Sequence, residues 1–119
     1  MTVHLVKMSG TVEPETLLQA LDIDEPLQCT RRLRWLVDLR GAKLNLPNEG
    51  IGSVAAQIDR YRQDTTCREE KCYAAMLVSD PVSYGISRIV AAYLEPNDVI
   101  VRVSYDEREA SDWLLEQAA

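Results

Sequence analysis

Hydrophobic and polar positions follow two rhythms along the chain. Short runs of apolar, β-favouring residues are each followed by a segment in which apolar residues recur every three or four positions. The first run, residues 3–9 (VHLVKMS), carries Val3, Leu5 and Val6 near strand spacing and is punctuated by Gly10. Pro14 suits the first turn of a helix, where its missing N–H costs nothing, and Leu17, Leu18 and Leu21 share one face. A helix is expected over 14–22, ended by the acidic run to Pro26, with residues 24–31 as a surface loop.

The second unit is clearer. Residues 33–39 (LRWLVDL) predict a strand closed by Gly41, and Pro47 and Asn48 signal a helix start. Ile51, Val54, Ala55, Ile58 and Tyr61 recur with a helical period, and the polar run after residue 62 ends that helix. The third unit is the best defined. Residues 72–78 (CYAAMLV) form a continuous apolar run, as expected of a strand covered on both faces. Asp80 and Pro81 then provide an N-cap and a first helical residue, and Val82, Ile86, Ile89, Val90 and Tyr93 predict the buried stripe. A last strand over 99–105 leads into a helix opened by Asp106 and Glu109 in a capping-box pattern, with Ala110, Trp113 and Leu114 as its apolar face.

Four strand-then-helix units argue an α/β fold with a mostly parallel four-stranded sheet, because parallel neighbours need crossover connections. At 119 residues, with no long linker, a single domain over 1–119 is expected. The N-terminal MTVHLVKMSG alternates like a strand and lacks the leader and apolar core of a signal peptide. No apolar run reaches the roughly 18 residues of a membrane span. A net charge of -6 argues against nucleic acid as partner, and three cysteines without dense spacing fit a reducing cytoplasm.

Three pieces resemble the small bacterial proteins related to SpoIIAA, the STAS-like group whose fold is shared with the CRAL-TRIO lipid-transfer domain. They are residues 36–42 (LVDLRGA), residues 77–85 (LVSDPVSYG), and residues 101–103 running into 109–114 (EASDWL). The resemblance implies a short (βα)4 superhelix, in agreement with the four units. It also implies a regulatory module. In the anti-sigma factor antagonists of this group, a phosphoacceptor serine opens the helix after the Asp-bearing strand. Aligning residues 37–39 (VDL) with that strand puts Asn48 at the serine's place, and Asn48 cannot accept phosphate. The nearest hydroxyl is Ser53. The resemblance further implies, as an alternative, carriage of a lipid or apolar metabolite. The lipid-transfer proteins add helices around this core, however, and this chain has no Phe.

Candidate chemistry is sparse. His4 is the single histidine and no nucleophile motif is built around it, and Cys67 and Cys72 lack the further ligands of a metal site. No catalytic set, metal or cofactor is therefore expected. Asp38 lies in an apolar strand and needs a partner, with Arg40, Lys43 or the backbone of the next turn as candidates. An enzyme working through Asp38 is the minor alternative. Arg31, Arg32 and Arg34 are read as solvated charges, with docking to an acidic partner as the alternative, Gly50 and Gly52 as loosening the start of a helix, and Gly85 as permitting close helix–sheet contact. In open α/β sheets ligands gather at the carboxyl ends of the strands. The loops after the second and third strands, with Asp38, Arg40, Asn48, Ser79, Asp80, Ser83, Tyr84 and Arg88, are the expected surface for a protein partner or small ligand. A homodimer through an exposed helix face fits the same reading.

Overall fold

The computed structural model describes residues 3–20, 34–63 and 71–117. Its elements are β1 (His4–Val12), α1 (Pro14–Ala20), β2 (Arg34–Leu44), α2 (Asn48–Gln63), β3 (Cys72–Leu77), α3 (Pro81–Leu94), β4 (Val99–Ser104) and α4 (Glu107–Glu116), with a short 3-10 turn at Glu95–Asn97. The four strands lie in the order β1-β2-β3-β4 and every pairing is parallel. No described helix is long and apolar enough to cross a membrane.

Successive strand residues point to opposite faces, and the two faces are covered unequally. Val37, Leu39, Met76, Val78, Val99 and Val103 meet Leu17 of α1, Ile51, Val54 and Ile58 of α2, and Val90 and Leu94 of α3 in one buried layer. Each such side chain contributes about 1.5–3 kcal/mol when removed from water. Leu36 and Ala75 face the other way and meet Ala110 and Leu114 of α4, with Val3, Tyr73 and Trp113 packed around them. Among the described helices, α1 to α3 thus line one face and α4 crosses the opposite one.

Arg34 fastens that lone helix. It is buried, not solvated as expected from its arginine-rich neighbourhood, and its Nε donates to the Leu114 carbonyl at 3.2 Å. A second nitrogen donates to the carbonyl of Gln117, and the guanidinium lies over the Tyr73 ring at 5.4 Å. Helix C-termini leave carbonyls without intrahelical donors and carry partial negative charge, so a cation is favoured there. Arg31 and Arg32 lie outside the described residues.

Four expectations are corrected. β1 does not stop at Gly10 but passes through it, with Gly10 at φ 74°. On α3 the buried residues are Ser83, Ser87, Val90 and Leu94, while Val82, Ile89 and Tyr93 are exposed. The stripe is rotated because small serines, not the bulkier apolar residues, are placed against the sheet. Gly85 is exposed and a Cβ there would meet nothing within 4 Å, so it makes no close contact with the sheet. Gly50, by contrast, is a packing residue: a Cβ would lie 2.5 Å from the Pro14 ring, where α1 and α2 begin side by side.

Candidate functional site at the carboxyl ends of the strands

The decisive local feature is a bulge in β2. Lys7 of β1 is opposite Asp38, but Ser9 is opposite Gly41, so β2 holds one extra residue in that interval. The core shows the same step: Leu39 and Ala42 both face the α1–α3 layer although three residues apart. Bulges re-aim side chains and leave a backbone group off the ladder. Here the bulge falls at Leu39–Arg40, opposite Met8, and β2 continues to Leu44 instead of ending at Leu39. The segment from Arg40 to Leu44 is strand, not the expected loop, and the connection to α2 is only residues 45–47.

Arg40 is held at both its backbone and its side chain. Its backbone N–H donates to Asp38 Oδ1 at 3.1 Å, and its Nε and one terminal nitrogen donate to the two Asp38 oxygens at 3.0 Å each. Its carbonyl accepts from Ser79 Oγ at 3.1 Å, and its guanidinium lies 3.8 Å from Glu107 at the start of α4. Of Asp38's expected partners, Arg40 supplies both side chain and backbone. The side-chain bond to Arg40, with the backbone bond and the charges of Arg40 and Lys7, holds the Asp38 carboxyl below its ordinary range against an opposing effect of burial. The Arg40 guanidinium is correspondingly pushed up, first by its bond to Asp38. The Arg40 side chain is 43% exposed and Asp38 only 17%, so the pair shows its positive end to solvent.

Asp80 and Ser83 are committed to each other. Asp80 Oδ1 accepts from the Ser83 N–H at 2.8 Å and Oδ2 from its hydroxyl at 2.9 Å. These two bonds, the backbone one first, lower the Asp80 pKa. The cap of α3 is thus closed by its own side chains. At the next strand Ser104 Oγ both accepts from the Asp106 N–H and donates to its carbonyl. Asp106 accepts from the N–H groups of Arg108 and Glu109, but Glu109 pairs with Arg102 at 3.0 Å instead of closing a capping box.

Between β3 and β4 the connections diverge, because α3 goes to one face and α4 to the other. Divergence of neighbouring connections opens a crevice at the strand ends. Tyr84 from α3 and Tyr105 from the end of β4 meet in it, stacked at 5.0 Å with 11° between the rings. Tyr84 also packs on the core, whereas Tyr105 is 52% exposed.

Of the expected residues, the structure brings Asp38, Arg40 and Ser79 together, with Asp80, Ser83 and Tyr84 following on at the start of α3. Arg88 lies a turn further along α3, facing the outer side of β4. Asn48 opens α2 and is exposed, apart from this group. Tyr105 and Glu107 were not legible as members, since the sequence alone does not say on which face α4 packs. Comparison of the chain with protein-family models, curated proteins and solved structures finds no match.

Proposed function

We propose that this chain is a non-enzymatic, STAS-like interaction module that binds a protein partner or small ligand at the carboxyl ends of β2, β3 and β4. The observation that carries the reading is the placing of the doubly hydrogen-bonded Asp38–Arg40 pair and the stacked Tyr84–Tyr105 crevice on one rim. Arginine and tyrosine supply a large share of binding energy at interfaces, above all when fixed before the partner arrives. A proton-transfer role has less support. A general base works best with its pKa near the operating pH, and Asp38 is moved away from there.

Asn48 opens α2 where the resemblance implies a phosphoacceptor serine, which supports a module working without that switch. The carrier alternative finds less support, because the groove along α3 and β4 is bordered by Arg88, Glu95, Arg102 and Glu109. The reading carries with it the cytoplasmic location expected from composition.

The test is an affinity capture from the source cells with the wild type, a Ser79→Arg/Tyr105→Ala variant and a Gln57→Arg control on α2. Loss of bound material from the first variant alone, with unchanged circular dichroism, is expected. Identical material on all three contradicts the reading.

A further inference from the structure

The two edges of the sheet are built differently. β1 faces its neighbour through a shifted register, carries Lys7, and contains Gly10 in the left-handed region. Bulges, charges and kinks of this kind keep an edge from adding strands. β4 has no such defence. Its residues VIVRVS pair with β3 in unbroken register, and its one charge, Arg102, is neutralised by Glu109. No described strand pairs with its outer side.

The groups on that outer side follow from the ladder. Cys72 and Val78 donate to the carbonyls of Asp98 and Ser104. Alternate residues of a parallel strand face the same neighbour, so the even-numbered residues of β4 face β3. Val99, Val101 and Val103 therefore turn their N–H and C=O groups to the free edge. A groove of ≈ 590 Å³ runs along it, with Val101 in its floor, α3 as one wall and Trp113 of α4 at the other.

This wall carries Arg88, Ala91 and Ala92 of α3, then Glu95 at its C-cap. Arg88 and Glu95 are seven residues apart on one helix face, about 10.5 Å by the helical rise. A cation, two small residues and an anion form an order that complements itself when reversed.

We infer that the partner of this edge is a second copy of the chain, paired β4 to β4 antiparallel about a two-fold axis at Val101. Val101 then faces its own counterpart, and Val99 faces Val103 of the other copy, which engages all the outward backbone groups. The same axis lays Arg88 against Glu95 of the second copy, twice, across the alanines. Arg102 falls opposite Ile100 instead of a like charge. An interface in which each contact recurs reversed is what two-fold symmetry requires. The result is a continuous eight-stranded sheet. This inference uses the β4 edge and does not rest on the rim reading.

Sedimentation velocity on the purified full chain, from nanomolar to high-micromolar concentration, tests it. The wild type is expected to reach twice its monomer mass of 13.4 kDa. Val101→Pro deletes a donor that the ladder to β3 does not use and is expected to give a monomer with a native circular dichroism spectrum. Arg88→Glu, a surface change that leaves the sheet intact, is expected to weaken the dimer by about tenfold or more. Adding Glu95→Arg to Arg88→Glu restores the pairing reversed and is expected to recover the dimer. A wild type that stays monomeric throughout overturns the inference. So does a dimer indifferent to Arg88→Glu, or one that the double exchange fails to recover.

Discussion

Arg34 Nε donates to the main-chain carbonyl of Leu114, a residue 80 positions later in the chain, across 3.2 Å of buried space. That bond, with its companion to Gln117, holds α4 on the face opposite the other helices. The crevice between β3 and β4 exists because α4 is held there, so Arg34 shapes the site from the far end of the helix.

Replacing Arg34 with Met keeps much of the volume but leaves two carbonyls without their charged donor. Bonds to charged groups and stranded buried acceptors together set the expected loss at about 2–4 kcal/mol in urea unfolding. Arg34→Lys should recover only part of it, because one ammonium cannot reproduce the planar fork.

Acid should expose the Asp38–Arg40 pair. The Asp38 pKa is lower in the folded chain than in the unfolded one, so its contribution is fully present above the unfolded value, about 4. It is lost as pH falls through the folded value. Asp38→Asn should therefore cost stability at neutral pH, and the gap between wild type and variant should close on acidification. Denaturant titrations at several pH values measure that gap.

Two glycines and a serine separate packing from propensity. Gly50→Ala drives a Cβ into the Pro14 ring and should destabilise by about 1–3 kcal/mol, despite the better helix former. Gly85→Ala meets open space and should stabilise by about 0.5–1 kcal/mol. Ser87 is fully buried, and its hydroxyl has no partner among the described residues. Ser87→Ala should gain about 1 kcal/mol by removing an unpaired polar group. Melting curves of the three variants should move in those directions.

The Tyr84–Tyr105 stack is measurable as a coupling. Single alanine variants and their double combination should yield an interaction energy of about 0.5–1.5 kcal/mol. Tyr84→Ala alone should cost more than Tyr105→Ala, because only Tyr84 also packs on the core.

The order of units, the parallel sheet and the capped start of α3 were legible in the sequence, because period, turn residues and Asp80-Pro81 are local signals. The end of β2 was not. Gly41 reads as a strand stop, and nothing local announces that a bulge lets the strand continue to Leu44. The face of α3 is hidden for a related reason: hydrophobicity ranks Val82 and Ile89 above Ser83 and Ser87, while packing against the sheet selects the small residues. Arg34 was hidden by its neighbours Arg31 and Arg32, since its partners belong to the last helix. Asp38 stands out in the sequence because a charge in an apolar strand demands a partner, and Arg40 meets that demand.

The proposed contacts are made at the rim where the Ser79 hydroxyl donates to the Arg40 carbonyl. The direct measurement is photo-cross-linking in the source cells with p-benzoylphenylalanine in place of Ser79, beside the same probe in place of Gln57 on the exposed side of α2. Adducts are expected from position 79 that Tyr105→Ala diminishes, and none of the same species from position 57. Equal adducts from both positions, or adducts from position 57 alone, would contradict it.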